Sequence, residues 1–71
     1  MDRIRRVKAI KLALKSIGVE TREIKGYTEI IFNLIKCDKS IKYISTKLYI
    51  NGLIEDKNNA SINDQGHLII Y

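Results

Sequence analysis

The sequence predicts an α+β fold: an N-terminal amphipathic helix packed on one face of a small antiparallel β-meander. Three observations predict it. Apolar residues over 2–17 recur with the helical period, β-branched and aromatic residues crowd 27–50 in alternating runs, and Asn, Asp, Gly and Ser punctuate the rest every few positions. The 71 residues make one domain, 1–71, because a chain this short buries only roughly 60% of the surface its unfolded form exposes and fills few layers. Apolar residues at 45% support a packed core and argue against wholesale disorder.

The helix is the plainest element. Val7, Ile10, Ala13, Leu14 and Ile17 fall on one side at about 100° per residue, while Lys8, Lys11 and Lys15 line another. Gly18 follows the last periodic residue as a left-handed capping glycine does, and Val19 supplies the apolar contact that accompanies such a cap.

Residues 20–26 fit two elements. Thr21 could cap a second helix carrying Ile24, Tyr27, Ile31 and Leu34, but Gly26 inside it would cost about 1 kcal/mol. Strand is favoured over 27–35, where Thr28, Ile30, Phe32 and Leu34 alternate onto one face. Residues 36–40 read as a turn. Beyond it Lys42, Ile44, Thr46, Leu48 and Ile50 alternate with Ile41, Tyr43, Ser45, Lys47 and Tyr49, which predicts a further strand. Asn51-Gly52 between apolar pairs then predicts a type I′ hairpin, with 53–55 returning. Short strands at 60–62 and 67–71 follow, separated by polar turns at 56–59 and 63–66. No internal repeat of 20–50 residues and no linker stand out.

Two family resemblances rest on particular residues. The run Ser40-Ile41-Lys42-Tyr43-Ile44-Ser45-Thr46-Lys47-Leu48-Tyr49-Ile50 resembles the first helix and turn of a helix-turn-helix, and Gly52-Leu53-Ile54-Glu55 resembles the approach to a wing. This implies a winged helix-turn-helix as the alternative fold, and it requires the segment 40–51 itself to serve as recognition helix. Leu14-Lys15-Ser16-Ile17-Gly18-Val19 through Lys25-Gly26-Tyr27-Thr28 is similar in outline to the helix, glycine and hairpin of HicA-type mRNA interferase toxins, which have a double-stranded-RNA-binding-like fold. That family places a histidine just after the glycine of its second strand, where Tyr27 and Thr28 stand here, so no catalytic residue carries over.

The charge is concentrated. Residues 1–18 hold six basic side chains, Arg3, Arg5, Arg6, Lys8, Lys11 and Lys15, against Asp2 alone. Residues 19–71 hold seven basic and seven acidic, so the net +5 belongs to the first quarter of the chain. Arg5, Lys8, Lys11 and Lys15 share a side on which three- and four-residue spacing lets long cationic side chains track a phosphate backbone. On the strand expected at 42–50, Tyr43, Lys47 and Tyr49 point the same way, and aromatics interleaved with lysine can stack unpaired bases.

The chemistry of catalysis is absent from this pattern. Cys37 and His67 stand alone, without a nucleophile motif, a metal-ligand spacing or a phosphate loop, and Asp64 near His67 forms no constellation. No enzyme activity, metal or cofactor is therefore expected. A single cysteine excludes an internal disulfide framework and fits a reducing, cytoplasmic compartment; no run is apolar enough for a membrane span or signal peptide. The apolar side of the helix carries no Trp or Phe to anchor it in a membrane surface.

Two functions match these features. The first is a small accessory or regulatory protein that contacts the phosphates of DNA or RNA through Arg5, Lys8, Lys11 and Lys15, with Tyr43, Lys47 and Tyr49 as a second contact area. The alternative is a protein-interaction module, an inhibitor or regulator, that offers the basic helix to an acidic partner surface or adds an edge strand to a partner sheet. Outward-facing Ile31, Ile35 and Ile41 would let two copies pair through the sheet as a homodimer.

Overall fold

In the computed structural model, which describes residues 2–71, Asp2 takes extended backbone angles and caps the first helix by accepting the Arg5 N–H at 2.8 Å. Helix α1 spans Arg3–Lys15 and buries Val7, Ile10 and Leu14, the side its period marked as apolar. It closes as expected: the Gly18 N–H donates to Lys15 O and the Val19 N–H to Leu14 O, both at 3.0 Å, with Gly18 at φ +80° and Val19 buried beneath.

Two strands follow. β1, Glu20–Ile24, pairs antiparallel with β2, Ile30–Lys36, so 20–24 is strand and the helical alternative for this segment is set aside. The second strand starts at Ile30, three residues later than alternation alone placed it. Ile30, Phe32 and Leu34 do share the core-facing side.

The segment 41–50, expected as a strand, is a second helix. Helix α2 spans Ile41–Ile50, and Ser40 caps it, its Oγ accepting the Tyr43 N–H at 3.1 Å. The same apolar residues fit both periods, and the buried set Ile44, Ser45 and Leu48 is a helical one, spaced one turn apart. Alternation would have turned Ile50 inward with Ile44 and Leu48, whereas Ile50 is 76% exposed. Asn51-Gly52 accordingly ends a helix instead of turning a hairpin. A type I′ turn needs positive φ at both residues, and here Asn51 has φ −79° and only Gly52 is positive, at +71°. Residues 53–55 form no strand, although Ile54 reaches the core.

Asp56 caps a single 3-10 turn, Lys57–Asn59, through a 2.7 Å bond from the Asn58 N–H. The predicted last hairpin is present: β3, Ala60–Ile62, pairs antiparallel with β4, His67–Ile70. In the turn between them Asn63 Oδ1 accepts the N–H groups of Gln65 at 3.0 Å and His67 at 2.9 Å.

The fold is thus α+β with an antiparallel sheet in the order β1-β2-β4-β3 and two helices on one face, where a single helix was expected. Val7, Ile10 and Leu14 of α1 and Ile44 and Leu48 of α2 meet Ile30, Phe32, Leu68, Ile70 and Ala60 of the strands in one core. The opposite face of the sheet carries no helix among the described residues. There Ile24, Ile31 and Ile69 stand in register across three strands, beside a second row of Arg22, Asn33 and His67. Of the three residues expected to face outward from the sheet, Ile35 at the end of β2 is 55% exposed, Ile31 lies on the helix-free face of β2 but is only 9% exposed, and Ile41 starts α2 and packs half-buried against the core.

The chain also repeats its own plan, although no repeat stands out in the sequence. Helix and hairpin (α1, β1, β2) are followed by helix and hairpin (α2, β3, β4), and the inner strands β2 and β4 of the two halves pair at the centre. Ile10, Leu14 and Gly18 correspond to Ile44, Leu48 and Gly52 at a constant separation of 34 residues, 44 minus 10. The second cap copies the first: the Gly52 N–H donates to Tyr49 O at 3.0 Å and the Leu53 N–H to Leu48 O at 2.9 Å.

Candidate nucleic-acid interface

The fold divides the six cations of the N-terminal segment into two sets. Arg3 and Arg6 lie on the core side of α1 and turn their guanidinium groups to backbone carbonyls. Arg3 donates to Thr28 O at 2.6 Å and Glu29 O at 3.1 Å, holding the loop between β1 and β2. Arg6 donates to Leu53 O and Tyr71 O, both at 3.3 Å, tying α1 to the segment after α2 and to the end of β4. Arg3 uses both terminal nitrogens of its planar fork and Arg6 one of them, so each guanidinium satisfies two carbonyls at once. These two arginines are structural.

Arg6→Ala should accordingly lower stability without touching the exposed helix face. Two charged but long hydrogen bonds, one of them half-buried, contribute about 1–2 kcal/mol. In a domain of this size that is a fall in Tm of roughly 5–15 °C by thermal circular dichroism. A Tm unchanged within error would show that the guanidinium does not clamp these segments.

Arg5, Lys8, Lys11 and Lys15 stay on the solvent side. The Arg5 Nε lies 3.7 Å from the Asp2 carboxylate, both side chains being well exposed, so the pair holds Arg5 only loosely. Among the described residues Lys8, Lys11 and Lys15 have no carboxylate within ion-pair distance. Lys8 and Lys15, two turns apart, point away from the core in the same direction; Lys11 sits to one side of them. The stripe is mixed, because Ile4 and Leu12 are also exposed between the cations.

The lower half of this stripe runs into a groove of about 650 Å³ between α1 and the end of the β1–β2 hairpin. Lys11, Leu12 and Lys15 form one wall, and Ile35 and Lys36 of β2 another. Among the described residues Glu20 is the one carboxylate lining it, and Glu20 and Lys36 are cross-strand neighbours. Three lysines against one glutamate leave a local excess of two positive charges. Lys36 and Ile35 carry no such signal in the sequence, where they read as a strand end and a turn. What brings them to α1 is a hairpin that folds the end of β2 back beside Gly18.

Tyr43, Lys47 and Tyr49 are on α2 and not on a sheet face, which corrects the platform expected of them. Side chains separated by two residues share a side in a strand and diverge in a helix. Tyr43 and Lys47, one turn apart, line a shallow surface with Ile50, and the Lys39 ammonium lies 5.2 Å from the Tyr43 ring centre. Tyr49 leaves on another side, where the Lys57 ammonium lies 5.7 Å from its ring centre. Both rings already stand in contact with a cation. All seven residues nevertheless belong to the helix layer, since α1 and α2 pack side by side on one face of the sheet.

Cys37 lies just past β2, half-buried, with its Sγ donating to Lys39 O at 3.3 Å. His67 stands half-buried at the start of β4. No helix among the described residues is long and apolar enough to cross a membrane. Comparison with protein-family models, curated proteins and solved structures gives no match to this chain.

Proposed function

We propose that this protein binds nucleic acid as a small accessory or regulatory protein, holding phosphates with Arg5, Lys8, Lys11 and Lys15 and reading little sequence. The observation that carries the reading is the exposed row Lys8, Lys11 and Lys15 on α1, without an ion-pair partner among the described residues, while Arg3 and Arg6 are engaged by backbone carbonyls. Free ammonium groups on a rigid helix release condensed counterions when they meet a polyanion, and that release drives binding without regard to base identity.

Fluorescence anisotropy with mixed-sequence DNA and RNA oligonucleotides tests this. Three to four neutralised phosphates give a slope of log K against log salt of about −2 to −4, so affinity falls roughly 20- to 200-fold between 50 and 200 mM salt. No binding at 50 mM salt, or binding indifferent to salt, overturns it. The second reading, a protein-interaction module, is favoured by the sheet face that carries no helix among the described residues, where Ile24 and Ile69 are half-buried and Ile31 is 9% exposed. It is the reading that remains if oligonucleotides do not bind.

A further inference from the structure

We infer, resting on the nucleic-acid reading above, that the ligand is a single strand, with an unpaired base seated in the groove between α1 and the end of the β1–β2 hairpin. Two kinds of side chain meet there. Lys11, Lys15 and Lys36 supply positive charge from both walls, as a sugar-phosphate chain crossing the groove requires. The same walls carry two large aliphatic side chains that bury little within the protein, Leu12 at 67% exposure and Ile35 at 55%.

Phosphates alone explain the lysines and leave Leu12 and Ile35 without a use. A duplex turns its charged backbone outward and keeps its bases stacked inside, so it would press hydrated phosphates against both aliphatic groups. A single strand can turn a base out of its own stack and lay its apolar face on them, with its two flanking phosphates reaching Lys11 or Lys15 on one side and Lys36 on the other. Single-stranded ligands are generally held by a cationic track beside a platform for the base faces; the usual platform is aromatic, and here Leu12 and Ile35 supply an aliphatic one. The groove is open to solvent and, at about 650 Å³, has room for a single nucleotide. No aromatic ring lines it among the described residues, so contact with the base is by apolar area and tolerates every base.

The test compares one mixed-sequence oligonucleotide as a single strand and annealed to its complement, at the same salt. Binding of the single strand is expected to be at least about 10-fold tighter. Leu12→Gln with Ile35→Thr, both at exposed positions suited to their helix and strand, should lower single-strand affinity about 10-fold, leaving duplex affinity and the salt slope unchanged. Lys36→Glu should instead flatten the salt slope. Circular dichroism of each variant verifies the fold. Equal or tighter duplex binding, or indifference to the Leu12 and Ile35 changes, overturns the single-strand inference and leaves the phosphate reading standing. Failure of both forms to bind overturns the two together.

Discussion

Phe32→Ala is expected to cost this fold about half of its stability. Phe32 is fully buried on the inner strand β2, paired with Glu23 on one side and Leu68 on the other, at the centre of the packing between sheet and helices. Truncating a buried phenylalanine costs about 3–5 kcal/mol, in transfer free energy and in the cavity left behind. A domain of 71 residues has roughly 4–11 kcal/mol in total. Loss on that scale takes roughly half of a mid-range margin, and the denaturation midpoint followed by circular dichroism should fall by about half. Phe32→Leu keeps most of the volume and should cost less than about 1.5 kcal/mol. Ile50→Ala, at the most exposed large apolar position, should move stability by about 0.5 kcal/mol or less. A Phe32→Ala protein as stable as wild type would mean that the core is centred elsewhere.

The second large effect is on binding. Reversing charge at Lys8 and Lys11 together should reduce oligonucleotide affinity by about 100-fold or more at 50 mM salt and flatten the salt slope by about two units, one for each phosphate left unneutralised. Both residues lie within α1 and project into solvent, so glutamate there leaves the core intact. The informative control is Arg22→Glu with Lys25→Glu, which makes the same change in net charge on exposed residues of β1 and the loop after it, outside α1 and outside the Tyr43, Lys47 and Tyr49 area. Docking at the helix predicts a small effect from the control. Equal losses from both pairs would mean that net charge, and not this surface, drives association.

Much of the fold was legible because its determinants are local. The period of α1, its cap at Gly18 and the turn at 63–66 each rest on residues within one or two turns of one another. Helix α2 was not legible by the same means, since Ile44 and Leu48 satisfy an alternating pattern and a helical one equally well, and β-branched density tipped the reading toward strand. Tertiary burial overrode that propensity. The deciding signal was in the chain: Ile10, Leu14 and Gly18 recur as Ile44, Leu48 and Gly52, and the first set is plainly a helix with its cap.

The site was legible in part for a related reason. Exposure of Lys8, Lys11 and Lys15 follows from α1's own period. Arg3 and Arg6, grouped with them by charge, are withdrawn by carbonyls 25, 26, 47 and 65 residues away, distances at which a pattern in one segment carries no information. Lys36 joins the site through the hairpin, again by a long-range return of the chain.

The paired arrangement of the two halves bears on how this protein stays apart from its own copies. Joining through the inner strands places β2, with seven residues the longest strand, and the apolar β4 where their backbones are bonded on both sides. The edges fall to β1, which bears Glu20, Arg22 and Glu23, and to β3, only three residues long. Charged or very short edge strands are poor templates for another strand. The sheet is therefore guarded against runaway edge-to-edge stacking by the composition of one edge and the shortness of the other.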